Sequence, residues 1–200
     1  MQEMHLVLHG LAIKKHADAA AVAGIVGLPP ARVAALLADA VKRGRVVEAA
    51  GRFMLAPAAR MTLDGEYSRY YDGVRADADF VAAYEAFERI NVELKQLITD
   101  WQTREIGGTR VPNDHSDPGH DRKVIDRLGD LHERADRIFA KLAARLPRLQ
   151  VWRDKLLAAL EKAEDGAIEW VSDVKIESYH TAWFELHEDL LRIMGRTCTE

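Results

Sequence analysis

The clearest hydrophobic pattern of the chain lies between Val171 and Arg196. Apolar and aromatic side chains recur there at spacings of three and four residues, which is typical of a helix with one buried face. That face contains Ile176, Tyr179, His180, Trp183, Phe184, His187, Leu190, Leu191 and Met194. A helix that only packs would carry aliphatic residues in place of the two histidines, so we expect polar partners across its interface. The neighbouring acids Glu185, Glu188 and Asp189 fall off this face and are expected to be solvated.

Three further stretches have the same helical period. Residues 67–105 contain no proline and one glycine, and they predict a long helix with Asn91 and Trp101 on its inner face. A loop is expected at 106–117, then a helix from about Pro118 to Leu146 with His132 inward, and a third helix that holds Val151 to Ala163 and ends near Asp165-Gly166. Together with the last helix they predict an antiparallel four-helix bundle over residues 67–200.

The first 66 residues have a different organisation. Helical segments at 4–13 and 16–26 are followed by a third that begins at Pro29-Pro30 and ends at Gly44. Short β segments then flank a turn at Ala50-Gly51. This order predicts a winged helix-turn-helix domain over residues 1–66, so the expected fold class is mainly α with a small β wing. The segment at 57–67, PAARMTLDGEY, resembles the one that follows the wing in MarR-like regulators.

Charge is distributed unevenly along the chain and leaves two hypotheses open. Residues 1–60 hold eight Lys and Arg against four Asp and Glu, although the whole chain has a net charge of −4. If the third helix enters a DNA groove, phosphate contacts would come from Lys14, Lys15, Arg32, Lys42, Arg45 and Arg52. However, the outward face of that helix is mostly alanine and includes Asp39. Base reading uses longer polar side chains, so this face favours docking to a protein.

The inward polar residues of the bundle are candidates for a ligand site. They are Asn91, His132, His180 and His187, with Trp101 and Trp183 nearby in the pattern. The alternatives are a single metal ion and a purely structural role, in which these residues pair with one another and fix the register of the helices. One Glu-x-x-His spacing, Glu177 to His180, is too few for a carboxylate-bridged metal pair. No metal or other cofactor is therefore predicted, and a metal-dependent enzyme is the least favoured alternative.

A second candidate lies in the predicted loop. Asn113, Asp114 and His115 precede Asp117 and Pro118, which are typical of a helix N-cap and first turn. Capping explains Asp117 but not Asn113, Asp114 or His115, so these three are assigned to ligand binding. The sequence contains no glycine-rich phosphate motif, no Cys-x-x-Cys pair and no nucleophile elbow, and no catalytic residue is predicted.

Several strings are familiar as a set. They are LHGLAIKKHA (8–17), FERINVELKQLITDWQ (87–102), PNDHSD (112–117), LHERAD (131–136) and SYHTAWFELHEDLLRIMGR (178–196). The set resembles a helical region associated with actinobacterial phosphoenolpyruvate-utilising proteins related to pyruvate phosphate dikinase, or encoded beside them. None of the dikinase domains fits this chain, so the resemblance implies an accessory or regulatory part with a phosphoenolpyruvate-utilising enzyme as partner. It marks Trp101, Asn113, Asp114, His115, His180 and His187.

The remaining expectations concern compartment and assembly. No run approaches the roughly 18 apolar residues of a membrane helix, so no membrane association is predicted. The N-terminus does not have the pattern of a signal peptide, and Cys198 is the only cysteine, which together predict a cytoplasmic protein without disulfides. The long helix after the wing favours a homodimer. The leading hypothesis is a non-catalytic regulatory or accessory protein, and the alternative is a ligand-responsive regulator that binds double-stranded DNA.

Overall fold

The structure, a computed structural model, describes residues 2–196. Over this range it is mainly helical, with eight α-helices and two small antiparallel sheets of two strands each. The chain divides into two compact units: the first comprises the chain up to Asp77 and from Glu185 onwards, and the second comprises Ala78–Phe184. Cys198 lies outside the described residues.

The first unit is built from four helices, a hairpin and the second part of the last helix. Its elements are α1 (Glu3–Lys14), α2 (Ala19–Val26), α3 (Pro30–Lys42), β1 (Val46–Ala49), β2 (Arg52–Leu55), α4 (Pro57–Arg75) and the part of α8 (Tyr179–Met194) from Glu185 onwards. Asp18 caps α2 by accepting a hydrogen bond from the Ala21 amide at 2.8 Å, and Gly27 ends it in the left-handed conformation. The order of three helices and a hairpin is the predicted one.

Helix α4 continues through the predicted domain boundary. Nothing between Pro57 and Arg75 interrupts the helix, and Ala59, Leu63, Tyr67 and Tyr71 repeat every four residues on its buried face. The boundary predicted between residues 66 and 67 therefore falls inside α4, whereas the compact units divide after Asp77.

The second unit contains three long helices, a hairpin and the beginning of the last helix. Its elements are α5 (Ala78–Gln102), β3 (Thr103–Ile106), β4 (Thr109–Pro112), α6 (Pro118–Arg145), α7 (Gln150–Glu164) and the part of α8 up to Phe184, with single 3-10 turns at Pro147–Leu149 and Ile168–Trp170. Its core is aromatic: the Trp183 ring stacks on Phe87 at 4.9 Å between centroids and meets Phe139 edge-on at 5.6 Å.

The predicted helix over 67–105 is two helices, α4 and α5, with a break at Ala76-Asp77. Tyr71 and Phe80 are both fully buried and lie nine residues apart. Tyr71 belongs to the first unit and Phe80 to the second, so the break separates the two units along the chain.

A hairpin replaces the end of the helix predicted to reach residue 105 and the first part of the loop predicted at 106–117. β3 and β4 pair in antiparallel register from Thr103↔Pro112 to Ile106↔Thr109. Gly107 and Gly108 both have positive φ, 58° and 78°, as a two-residue turn of mirror-image type requires.

The last helix is shorter than predicted. It begins at Tyr179 rather than Val171, because the Ser178 hydroxyl caps its first turn by accepting a hydrogen bond from the Thr181 amide at 3.3 Å. Ile176 therefore precedes the helix, and Phe184 is 52% exposed instead of inward.

No single helix within residues 2–196 has both the length and the apolar character to cross a membrane. Helices α2 and α3 meet that test only as a pair, and the pair is bent by 115°.

Candidate functional site

The candidate site lies where α5, the β3–β4 hairpin and α6 meet. The hairpin returns the chain to the end of α5, where the Asn113 amide donates to the Gln102 carbonyl at 2.8 Å. Asp117 then starts α6 by accepting hydrogen bonds from the Gly119 and His120 amides at 3.0 and 3.1 Å. This cap fixes the first turn of α6 and brings Asp121 back towards the hairpin.

Asp121 organises the site. Its carboxylate is buried, with the residue 4% exposed, and its two oxygens lie 3.1 and 3.0 Å from His115 Nδ1. It also accepts a hydrogen bond from Asn113 Nδ2 at 2.9 Å. Asn113 Nδ2 donates in addition to the Trp101 carbonyl at 3.0 Å, and the Trp101 and His115 ring centroids are 4.6 Å apart. We call Trp101, Asn113, His115 and Asp121 the His115 cluster.

The backbone of His115 is in an unusual conformation. Its φ is 57°, in the left-handed region that side chains other than glycine rarely adopt. The Asn113 side-chain oxygen accepts a hydrogen bond from the His115 amide at 3.1 Å, and Asp121 holds the ring. Residues in such conformations persist where the surroundings hold them, and they concentrate at binding and catalytic sites.

Two cavities open beside the His115 ring. One, of about 290 Å³, is lined by His115, Asp121 and Ile125 of α6 together with Ile168. The other, of about 320 Å³, is lined by Trp101, His115 and Ile168 together with Ser172. Because Asp121 engages Nδ1, Nε2 is the ring nitrogen left for another partner. A carboxylate that orients an imidazole in this way prepares it to donate to, or accept from, a polar ligand.

Asp114 belongs to the support of the loop. It forms an ion pair with Arg104 of β3 at 2.9 Å and accepts a hydrogen bond from the Ser116 hydroxyl at 2.7 Å. The hydrogen bonds from Ser116 and the charge of Arg104 lower the pKa of Asp114 below its usual value. Asp114 thus stabilises the loop through Arg104 and Ser116, and we do not include it in the His115 cluster.

The inward polar residues of the second unit meet aromatic partners. Asn91 accepts a hydrogen bond from Trp183 Nε1 at 3.0 Å, and His132 Nδ1 lies 3.1 Å from the Tyr179 hydroxyl. Burial lowers the pKa of His132 and raises that of Tyr179. Asn91 and His132 therefore have aromatic partners, Trp183 and Tyr179, where one alternative was that the polar residues pair with one another.

The other two predicted histidines lie apart from these pairs. His180 is half-buried in the second unit, and burial lowers its pKa. His187 is buried in the first unit. Within residues 2–196, no group of three or more His, Cys, Asp or Glu side chains has the geometry to hold a metal ion.

Most of the cations proposed for DNA contact are engaged by the protein itself. Lys14 pairs with Glu185 at 2.8 Å. Arg32 pairs with Glu3 at 2.6 Å, and Arg45 lies 3.6 Å from Glu66. Arg52 donates to the His16 carbonyl at 2.8 Å. Lys15 and Lys42 are exposed at the ends of α1 and α3.

The first unit contains a buried polar network that the sequence analysis does not predict. His9 Nε2 is 2.9 Å from Asp189, and His9 Nδ1 is 2.7 Å from the Tyr67 hydroxyl. Asp189 was expected to be solvated but is fully buried, because α8 turns this side chain towards α1. The spacing of four between His5 and His9, inside an otherwise apolar helix, is the signal that marks this network.

No known protein family has a profile that matches the chain, and no curated protein or solved structure is significantly similar to it. The resemblances to phosphoenolpyruvate-utilising proteins and to MarR-like regulators therefore stay predictions.

Proposed function

We propose that the protein is a non-catalytic regulatory or accessory protein. Its first unit is a winged helix-turn-helix module that docks to a protein partner. Its second unit, made of three long helices and the beginning of α8, is the body of the predicted four-helix bundle and binds a small polar ligand at the His115 cluster. The observation that carries the docking function is the exposed face of α3, which is mostly alanine and on which Arg32 is engaged in an ion pair.

The local geometry supports a winged helix-turn-helix. Helices α2 and α3 are bent by 115° relative to each other, with a tight left-handed turn at Gly27. The β1–β2 hairpin follows α3 directly, and Phe53 exchanges two backbone hydrogen bonds with Ala17, at 3.1 and 2.7 Å. This bridge ties the hairpin to the turn before α2, as a wing requires.

The surface of α3 favours protein over DNA. Its exposed positions include Ala31, Ala34, Ala35 and Ala38, which have no group that reads a base edge. Arg32 donates from Nε and Nη2 to Glu3, at 2.8 and 2.6 Å.

The flanking charge of α3 is likewise compensated. Arg43 donates to Asp39 at 2.8 Å, within α3 and its C-cap. Exposed pairs of this kind contribute only about 0–1 kcal/mol, so a phosphate could displace them. The alanine surface, rather than the pairing, is therefore the stronger argument for protein docking.

The His115 cluster supports ligand binding by the second unit. It combines a left-handed histidine, a buried orienting carboxylate and two adjoining cavities. Polar groups converging on a partly apolar cavity are typical of small-molecule sites. A phosphoenolpyruvate-utilising enzyme is the proposed partner on the strength of the sequence resemblance, and a homodimer is the proposed assembly.

The alternative function, a DNA-binding regulator, is favoured by one observation. The winged helix-turn-helix arrangement leaves Lys42 exposed at the end of α3, next to the hairpin. In that function the His115 cluster would be the effector site and α3 would enter the major groove.

Fluorescence anisotropy distinguishes the two functions. The purified protein is titrated into labelled DNA from upstream of its own gene and into a scrambled duplex, from about 50 to 200 mM salt. We expect weak binding without sequence preference that disappears as the salt rises. Arg32→Ala and Arg52→Ala should change this little more than the control Arg134→Ala, which removes an exposed arginine of the second unit. Preferential binding of the upstream DNA at physiological salt, lost in Arg32→Ala and Arg52→Ala, would instead establish the regulator.

A further inference from the structure

A cleft of about 610 Å³ lies between α4 and the end of α8 in the first unit. Its charged lining comprises four arginines and two carboxylates. They are Arg60, Arg75, Arg192, Arg196, Asp64 and Glu188. The cleft is separate from the His115 cluster, which lies in the second unit.

Arg75 is fixed in the wall of the cleft. Its Nε donates to the Ile193 carbonyl at 2.6 Å, and Nη1 donates to the Ser68 hydroxyl at 2.9 Å. Gly195 has a φ of 65°, and a Cβ on it would lie 3.0 Å from Arg75 Nη2. The chain therefore approaches this guanidinium more closely than a side chain at position 195 would allow.

Arg192 faces Arg75 from α8 and is only partly satisfied. Its Nη2 pairs with Glu188 at 2.6 Å, and its Nη1 lies 3.6 Å from Asp64. Its Nε is buried and has no hydrogen-bond partner in the described part of the chain. A buried guanidinium donor without an acceptor is costly, and an anion in the cleft would remove that cost.

The floor of the cleft is a buried hydroxyl. Tyr67 lines the cleft, and its hydroxyl lies 2.7 Å from His9 Nδ1. Burial raises the pKa of Tyr67, so the phenol remains neutral; it donates a hydrogen bond to His9, whose other nitrogen faces Asp189, and its oxygen accepts a hydrogen bond from Arg192. Tyr67 therefore helps to position the Arg192 guanidinium at the cleft.

The charges of the cleft do not balance. Four arginines and two carboxylates line the cleft, and Asp72 lies 3.5 Å from Arg75 Nη1, so the arginines outnumber these carboxylates by one. Asp64 is 57% exposed and can turn to water, whereas the Arg75 and Arg192 side chains are 21% and 19% exposed. Guanidinium groups form paired hydrogen bonds with phosphate and carboxylate oxygens. The volume is within the range of roughly 300–1,000 Å³ that is typical of small-molecule sites.

From this geometry we propose that the cleft binds a small organic dianion, either a phosphate ester or a dicarboxylate. Arg75 and Arg192 hold the anionic head group against Tyr67. Arg60, which has no carboxylate partner within residues 2–196, closes over it from the first turn of α4. The dianion competes with Glu188 and Asp64 for Arg192. The proposal depends on the first unit alone and stands whether or not the His115 cluster binds a ligand.

Isothermal titration calorimetry with inorganic phosphate and with glutarate tests the proposal on the full chain. Sodium chloride at matched ionic strength is the reference, and Arg134→Gln in the second unit is the matched control. We expect saturable binding of at least one dianion to the wild-type protein and to Arg134→Gln. Arg60→Gln and Arg192→Gln should each weaken it about tenfold, equivalent to about 1.4 kcal/mol.

The two probes distinguish the sources of the dianion. Tighter binding of phosphate would indicate a phosphate ester, and tighter binding of glutarate a dicarboxylate. The proposal is overturned if neither probe gives more heat than sodium chloride, or if the cleft variants bind as Arg134→Gln does. If Arg192→Gln fails to fold, the test uses Arg60→Gln together with NMR of the wild-type protein. In the NMR spectra, the Ser68 and Gly195 amide resonances should shift when phosphate or glutarate is added. Resonances that do not move would also overturn it.

Discussion

Individual polar residues inside the second unit are satisfied by aromatic neighbours. Trp183 donates to Asn91 at 3.0 Å, and Tyr179 lies against His132 at 3.1 Å. A buried polar group costs free energy unless it finds a partner, so each pair also fixes the relative position of two helices. Polar side chains on an apolar stripe could be recognised from the sequence. Their partners could not, because a helical period does not specify which ring on the facing helix each would meet.

The buried state of His132 predicts a pH dependence of stability. Burial lowers its pKa below the ordinary value of 6.5. As the pH falls, the unfolded chain therefore binds a proton at this histidine more readily than the native state does. Stability from this source is complete above the ordinary pKa and falls as the pH decreases below it. In His132→Gln the decline between about pH 7 and 5 should be shallower, because glutamine does not titrate.

Urea unfolding at a series of pH values measures this effect. His180, whose pKa burial also lowers, provides a comparison, and His180→Gln should remove a separate part of the decline. An unchanged pH slope in His132→Gln would show that this histidine is as easily protonated in the native state as in the unfolded one.

At the scale of elements, the sequence predicted most helices but fewer of their ends. Caps and breakers with local chemistry were readable, such as Asp117 before Pro118 at the start of α6. The break between α4 and α5 at Ala76-Asp77 has no proline or glycine, so no local signal in the sequence marks it. The sequence predicts a helix end and a loop where the β3–β4 hairpin lies, because its strands do not alternate clearly between apolar and polar residues. Its pairing depends on Gly107 and Gly108.

The packing of α1 on α2 depends on Gly10. A Cβ at this position would lie 2.5 Å from Val26 Cγ1 and 3.2 Å from Val22 Cγ1. Both valines are buried and β-branched, so they cannot easily move aside. We expect Gly10→Ala to destabilise the first unit by about 1–3 kcal/mol.

Gly65 is the matched control for this substitution. It lies in α4, and a Cβ there would meet no atom within 4 Å. Gly65→Ala should therefore stabilise the protein by roughly 0.5–1 kcal/mol through helix propensity. Chemical denaturation of both variants measures the difference. Equal effects of the two substitutions would mean that α1 and α2 are not packed as closely as described.

At the scale of the whole molecule, the first unit is discontinuous in sequence. His9 and Asp189 are 180 residues apart and meet at 2.9 Å, and Lys14 pairs with Glu185 at 2.8 Å. The predicted division into residues 1–66 and 67–200 followed the order of the elements. It could not include a return of α8, because no local period marks a contact between the two ends of the chain. The position of Asp189 off the apolar stripe predicts a solvated side chain, whereas the structure pairs it with His9 of α1.

The contact between Asp189 of α8 and His9 of α1 predicts which helices are destabilised by a substitution near the C-terminus. Asp189→Ala removes the acceptor of His9 and leaves a fully buried imidazole without it, which should cost about 1–3 kcal/mol. Because His9 and Tyr67 connect Asp189 to α1 and α4, hydrogen exchange should accelerate in Glu3–Lys14 and Pro57–Arg75. Amides in the middle of α6 should keep their protection. Asp64→Ala, which removes an exposed carboxylate of the same unit, is the control and should leave α1 protected. If Asp189→Ala instead accelerates exchange equally in α1, α4 and α6, the chain unfolds in one cooperative step. The two compact units would then not have independent free energies of unfolding.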